Sequence, residues 1–212
     1  RMHSGIATVS KDIVMETLNE YDWVQLAGAI KHPDKGKVFD MSDGLDEFGI
    51  KDGYLRVYPV DGYGDEQVLR EVMNIEKPDA ILHYTDPRFW IWLYKMEAEI
   101  RRDIPIFYYN IWDDLPDPQY NTDYYKSSDL LMSISKQTYG INNRLLPEYE
   151  DWQTTYVPHG ISSRRFSKIE DTDANLIEFN NKFGLTDKTF RVLYSNRNIR
   201  RKMPGDVALA FK

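Results

Sequence analysis

Asp129-Leu-Leu-Met-Ser-Ile-Ser-Lys136 is the stretch of sequence that decides the fold. Its apolar residues predict a short strand over 129–133, and Ser135 then starts a helix, since serine is a preferred residue at the amino end of helices. A strand that passes directly into a helix is the unit from which parallel sheets are built. We therefore expect further units of this kind on either side of it.

Strand and helix patterns alternate along the rest of the chain. The predicted strands cover residues 23–29, 54–60, 79–84, 104–109, 154–157 and 190–194. Two helices are predicted to start after Ser4 and Ser135, and two more cover 66–76 and 87–102. Another ends before Gly184, and the last runs from 206 to the end of the sequence. A polar segment occupies 31–53. This alternation predicts an α/β fold in which helices flank a parallel sheet.

We expect three parts in the chain. Residues 1–165 form an N-terminal domain, 166–188 a linker and helix, and 189–212 the truncated start of a second domain. The Ser4-Gly5 loop should follow a strand, so we expect the first strand to be missing from the sequence. At this end, an ordinary helix start after a flexible terminus remains the alternative.

The composition limits the class of function. The chain has 212 residues, 42% of them hydrophobic, and a net charge of -7, which disfavours broad binding of nucleic acid. It contains no cysteine, so disulfides and thiolate zinc sites are excluded and a cytoplasmic location is expected. No apolar run is long enough to predict a transmembrane segment. The aromatic residues of 87–102 are expected in the core rather than on a membrane.

Two segments of the sequence suit an anion. Arg197 and Lys202 follow the strand predicted at 190–194, and two fixed cations beside a turn suit a diphosphate. Ser4 and Gly5 precede a helix, where backbone amides can face an anion. A solvated basic turn remains the alternative for Arg197 and Lys202.

Other candidate residues follow predicted strands. Asp113, Asp114 and Asp117 lie in the loop after strand 104–109, where carboxylates could orient sugar hydroxyls, bind a metal or form a solvated turn. His159 lies in a Pro-His-Gly turn before the expected domain junction. His83 is interpreted as a packing residue.

These motifs, taken in order, resemble the retaining glycosyltransferases of the GT-B fold, in particular the large family 4 group. The similar segments are the Ser4-Gly5 loop, the strand 79–83, Ile104-Pro-Ile-Phe107 with its acidic loop, 129–136, Val157-Pro-His-Gly-Ile161 through Phe166, and Leu193 to Gly205. The resemblance implies two Rossmann-like domains with helices on both faces of each sheet, and a nucleotide sugar held between them. The reaction would be the retaining, metal-independent transfer of a sugar to an acceptor hydroxyl, without a separate cofactor.

The resemblance also implies roles for individual residues. Its donor-binding residues would be Ser4, Gly5, His159, Gly160, Arg197 and Lys202. The last two would also act in catalysis by stabilising the leaving diphosphate. Asp113, with Asn110 beside it, is predicted to replace the histidine that many members carry. The sequence departs from the family where Asn196 replaces a usual glycine and where Met203-Pro204 separate Lys202 from Gly205.

Two other functions remain open. A sugar-nucleotide epimerase of the same fold would need no acceptor. A non-catalytic module that binds carbohydrate or protein would use an exposed aromatic patch formed by Tyr108, Tyr109, Trp112, Tyr120, Tyr124 and Tyr125. Among partners we expect a nucleotide sugar and an acceptor, and peripheral contact with a membrane surface is left open.

Overall fold

The computed structural model describes residues 4–28, 31, 33–163, 165–196 and 198–211. The chain divides into two compact units, 1–160 and 161–212. Within the described residues, no helix is both long and apolar enough to span a bilayer.

The described part of the first unit contains seven strands, which form two sheets. The larger sheet is entirely parallel and consists, in spatial order, of β4 (Ile81–His83), β5 (Ile106–Asn110), β6 (Leu130–Ser133) and β7 (Thr154–Tyr156). The smaller sheet has the order β1-β3-β2, in which β1 (Trp23–Ala27) runs parallel and β2 (Phe39–Asp40) antiparallel to β3 (Leu55–Pro59). The predicted α/β fold with helices flanking a parallel sheet is confirmed.

Eight α-helices are present in the described residues. They are α1 (Gly5–Thr17), α2 (Glu66–Glu76), α3 (Ile91–Lys95), α4 (Glu97–Ile100), α5 (Thr122–Lys126), α6 (Lys136–Leu145), α7 (Ala174–Lys182) and α8 (Pro204–Phe211). In four of them a side-chain oxygen at the N-cap accepts backbone N–H bonds, and these caps are Ser4, Asp65, Ser135 and Asp173. Such caps satisfy amides that have no partner within the helix.

The core of the first unit consists of three clusters of apolar side chains. One lies between α5, α6 and strands β5 and β6, and it includes Tyr108 and Leu131. A second lies between α1 and the smaller sheet. The third joins α2, α3, α4 and β5, and Leu26 of β1 and Ile81 of β4 pack against it. Both sheets therefore border this third cluster.

The single helix predicted over 87–102 is wrong. A 3₁₀ turn over Pro87–Phe89 is followed by α3 and α4, because Trp90 (φ -121°, ψ 31°) and Met96 (φ -88°, ψ 0°) leave helical geometry. Residues two apart on a helix do not face each other. The break at Trp90 allows its ring to lie 5.5 Å from that of Trp92.

The strand predicted over 190–194 is also absent. No strand occurs among the described residues of the second unit, so this apolar run has no neighbour with which to form a ladder. Phe190 and Leu193 are 82% and 91% exposed. The pattern was apolar enough for a strand, but pairing decides whether a strand forms.

Candidate functional site

The loops that carry the predicted Asp113 and His159 leave the carboxyl end of the four-stranded sheet. Tyr84 directly follows β4, the loop that carries Asp113 follows β5, and His159 lies three residues beyond β7. Because the strands are parallel, these segments leave the sheet at one edge, which is where open α/β sheets bind ligands.

Tyr84, Tyr109 and His159 form an aromatic cluster at this edge. The Tyr84 hydroxyl lies 3.3 Å from His159 Nε2, and the ring centroids of Tyr109 and His159 are 5.4 Å apart. The rings of the two tyrosines lie 5.2 Å apart. The Tyr109 hydroxyl donates to the carbonyl of Val157 at 2.7 Å, which ties the segment after β7 to β5. The imidazole is therefore held beside the Tyr84 hydroxyl and against the Tyr109 ring.

The cluster carries no charge at neutral pH. Although His159 is exposed on one side, the burial of its other side by the two tyrosine rings lowers its pKa. Burial raises the pKa of Tyr84 and of Tyr109 to about 12. Neutral groups that can both donate and accept hydrogen bonds suit hydroxyl groups better than they suit an anion.

The three aspartates of the loop after β5 differ in their partners. Arg144 binds Asp117 through two bonds of 2.6 and 2.7 Å and lowers the pKa of that carboxyl. Asp114 accepts from the amide of Leu115 at 2.9 Å. Asp113 is exposed, and no hydrogen bond or ion pair of its carboxylate is found in the described part of the chain. Of the three, Asp113 is therefore the one whose carboxylate is left for a ligand.

Asn110, predicted beside Asp113 as a catalytic neighbour, is fully buried. Its amide nitrogen donates to Asn142 at 2.7 Å, and Asn142 donates to Ser133 at 2.9 Å. Its oxygen accepts the backbone N–H of Trp112 at 3.0 Å. These bonds hold the start of the loop after β5, so Asn110 acts as a positioning residue.

Two residues at this edge were not predicted from the sequence: Tyr84 and Arg88. The Arg88 guanidinium binds Asp86 through Nε and Nη2 at 2.9 and 2.5 Å, and it lies over the rings of Trp112 and Tyr120 at 5.6 and 6.0 Å. The available signal was the position of Tyr84 at the end of a predicted strand, since the ends of parallel strands commonly carry ligand contacts. Arg88 falls inside the predicted helix 87–102, so no such signal marked it.

The small residues predicted at the donor site are exposed. Ser4 caps α1 by accepting from the amide of Ala7 at 3.1 Å. A Cβ added at Gly5 or at Gly160 would meet no atom within 4 Å, and neither glycine has a positive φ. Packing within the described residues therefore does not require glycine at either position.

The predicted cations belong to the second unit. Arg197 lies outside the described residues. Lys202 ends a 3₁₀ turn, Arg200–Lys202, and its carbonyl accepts a hydrogen bond from the Tyr194 hydroxyl. An open depression of about 350 Å³ adjoins this turn and is lined by Asn198, Ile199, Arg200, Met203, Pro204 and Asp206.

The exposed patch of six aromatic residues is not formed. Tyr108, Tyr109 and Tyr125 are buried, with 1%, 5% and 0% of their surface exposed. Tyr120 is 63% exposed, and Trp112 and Tyr124 pack partly against the core. The surface that favoured a carbohydrate- or protein-binding module is therefore reduced to the exposed Tyr120 and the partly buried Trp112 and Tyr124.

In the described part of the chain, no three or more His, Asp or Glu side chains are grouped so that they could hold a metal ion. The chain matches no family model, no curated protein and no solved structure.

Proposed function

We propose that the chain is the acceptor side of a retaining, cytoplasmic glycosyltransferase of the GT-B fold, joined to the start of its donor side. The neutral Tyr84 and His159, packed against the buried Tyr109 at the carboxyl edge of a parallel sheet, carry this proposal. Sugars present many hydroxyl groups, and uncharged donors and acceptors at a sheet edge are suited to orient them.

Asp113 supplies the charge that this cluster lacks. Its exposed carboxylate can accept a hydrogen bond from the acceptor hydroxyl or face positive charge that develops on the sugar ring. The buried Asn110 holds the backbone at Trp112, one residue before it. In this proposal Asp113 meets the reacting sugar and Asn110 positions the loop.

Arg197 and Lys202 complete the proposed reaction on the donor side. Cleavage of the bond between sugar and phosphate leaves negative charge on a nucleoside diphosphate, and fixed cations stabilise that charge without a metal ion. Ser4, Gly5 and Gly160 would allow backbone amides to approach the donor.

The test is calorimetric titration of the chain with UDP-, GDP- and ADP-sugars in the presence of EDTA. One of the three is expected to bind, and Lys202→Ala or Arg197→Ala should weaken binding about tenfold or more, as expected for a lost charge-assisted hydrogen bond. Lys188→Ala, at an exposed position of the same unit, is the matched control and should bind as the parent does.

Product analysis separates the two enzyme classes. A glycosylated acceptor and free nucleoside diphosphate support a transferase, whereas an isomerised nucleotide sugar formed without any acceptor identifies an epimerase. Binding of none of the three donors, or equal binding by the parent and both cation variants, contradicts the proposed diphosphate site.

A further inference from the structure

Arg88 is fixed at the carboxyl edge of the larger sheet by bonds to both its backbone and its side chain. Asp86 accepts the backbone N–H of Arg88 at 3.0 Å and so begins the 3₁₀ turn Pro87–Phe89. The same carboxylate accepts from Nε and Nη2 of the guanidinium. Tyr108 of β5 donates to the carbonyl of Thr85 at 3.1 Å, which ties the segment before this turn to the sheet.

Two aromatic rings lie against this guanidinium. Cζ of Arg88 is 5.6 Å from the centroid of the Trp112 ring and 6.0 Å from that of Tyr120. The two rings meet edge to face, with centroids 5.8 Å apart. The Trp112 indole donates to the carbonyl of Asp114, and Thr138 donates to the carbonyl of Trp112, each at 2.8 Å. The Trp112 ring is therefore held in place under the guanidinium.

The outer parts of this group are open to solvent. Tyr120 is 63% exposed, although the next residue, Asn121, is fully buried and anchors the turn that carries it. The side chain of Arg88 is 49% exposed, and in the described part of the chain no hydrogen bond of its Nη1 is found. An aromatic ring and a rigidly held N–H donor are thus available side by side.

We propose that Arg88, Trp112 and Tyr120 form a subsite for an uncharged pyranose ring, so that the acceptor is a saccharide rather than a lipid or a protein side chain. The sugar ring stacks on the open face of Tyr120, and its hydroxyl groups accept hydrogen bonds from Nη1 of Arg88. Its role in holding an acceptor rests on the proposed function, whereas the binding of a pyranose does not.

The charges around the subsite favour a neutral ligand. Asp86 offsets the charge of Arg88, and the carboxylates of Asp113 and Asp114 form no ion pair within the described residues. An anion would therefore meet an excess of negative charge. The C–H groups of a sugar suit the negative face of an aromatic ring, and its hydroxyl groups suit a charged donor.

The open donor of Arg88 also disfavours a purely apolar ligand. An alkyl chain laid over Tyr120 would cover Nη1 without giving it an acceptor, and burial of an unsatisfied donor is unfavourable. A pyranose covers the ring and supplies the acceptor at the same time.

The test is an NMR titration of the full chain with the methyl pyranosides of glucose, galactose and mannose. At least one should bind with a Kd on the order of 1 mM, as expected for a ligand of this size. Binding should shift the indole N–H resonance of Trp112.

Variants of the two exposed side chains separate stacking from hydrogen bonding. Tyr120→Ala should weaken the binding of this pyranoside about fivefold or more, whereas Tyr120→Phe keeps the ring and should stay within about twofold of the parent. Arg88→Lys keeps a cation beside Asp86 but loses Nη1, and it should weaken binding about tenfold.

Matched controls exist elsewhere in the same unit. Tyr21→Ala removes a ring that is 60% exposed, and Arg102→Lys changes an exposed arginine that lies 3.5 Å from Asp103. Both should bind the pyranoside as the parent does. Equal binding by the parent, Tyr120→Ala and Arg88→Lys overturns the proposal, and so does the failure of all three pyranosides to bind. Tighter binding of methyl β-glucuronide than of methyl β-glucoside also overturns it, because Arg88 would then serve an anion.

The donor titration described above keeps this inference distinct from the proposed transferase. Binding of a nucleotide sugar without binding of any pyranoside overturns the saccharide subsite and leaves the transferase standing. Binding of a pyranoside that depends on Tyr120 and Arg88, without binding of any nucleotide sugar, supports the saccharide subsite and contradicts the transferase.

Discussion

At the scale of single residues, His83 shows how burial can decide the role of a titratable group. The side chain is 95% removed from solvent, Nδ1 lies 2.6 Å from the Tyr94 hydroxyl, and the ring stacks on Tyr108 at 5.1 Å. Burial disfavours the charged form and lowers the pKa of His83 to about 3. The interpretation of His83 as a packing residue agrees with these contacts.

The neutral His83 should make the stability of the protein depend on pH. Below the ordinary histidine pKa the unfolded chain binds a proton that the folded chain does not. The free energy of unfolding therefore decreases as the pH is lowered, until the pKa of His83 in the folded protein is reached. Between pH 6.5 and pH 5 this amounts to about 2 kcal/mol. Urea denaturation of the parent and of His83→Phe at both pH values measures it.

The variant serves as its own reference because only the change with pH is compared. His83→Phe keeps the ring and loses the titration, so its free energy of unfolding should fall by about 2 kcal/mol less than that of the parent over this interval. An equal decrease in the free energy of unfolding of the parent and of His83→Phe from pH 6.5 to pH 5 would show that His83 is protonated in the folded protein.

At the scale of elements, helix starts were the most predictable features. Short polar side chains at Ser4 and Ser135 accept the free amides of the first helical turn, and this chemistry is local to a few residues. Strands β1 and β3 to β7 were also predicted to within two residues at the ends that the structure describes. The short strand β2 was not predicted, because it depends on pairing with β3 and on the contact of Asp40 with Arg56.

Removal of the cap at Ser135 should destabilise the first unit. Its hydroxyl oxygen accepts from the amide of Thr138 at 3.0 Å, and Thr138 donates to the carbonyl of Trp112 at 2.8 Å, so the cap also supports the acidic loop. Ser135→Ala is expected to lower the free energy of unfolding by about 1 kcal/mol. Thr172→Ala, in an exposed turn, is the control and should change it by less than about 0.5 kcal/mol. Equal changes in the free energy of unfolding for Ser135→Ala and Thr172→Ala would show that the cap does not stabilise the protein.

The candidate site was less predictable than the elements. The sequence places Asp113 and His159 after strands, but the sharing of a surface by Tyr84, Tyr109 and His159 depends on the order of strands in the sheet. Asparagine is a residue type often found in ligand sites, yet the side chain of Asn110 is buried and forms hydrogen bonds with Asn142 and Trp112. Burial of this kind is set by packing between distant segments.

At the scale of the whole molecule, the two units differ in their cores. Among the residues that the structure describes, all buried side chains, from Val14 to Thr154, belong to the first unit. The described residues of α7 and α8 in the second unit include no buried side chain. Cooperative unfolding depends on buried apolar area, so it should be a property of the first unit.

A fragment of residues 1–160 is therefore expected to unfold much like the whole chain. Its free energy of unfolding in urea should agree with that of the full chain within about 1 kcal/mol, and its m-value should be nearly unchanged, because m follows the surface exposed on unfolding. Loss of the cooperative transition in the fragment would show that the second unit contributes to the core.

The edge strand β7 of the larger sheet is poorly suited to pair with a strand of another molecule. It is three residues long, follows the acidic residues Glu150 and Asp151, and is followed closely by Pro158, which has no amide to donate. A neighbouring molecule could form only a few backbone bonds there before it met charge or proline. The β7 edge of the larger sheet is thus protected against fibre-like association.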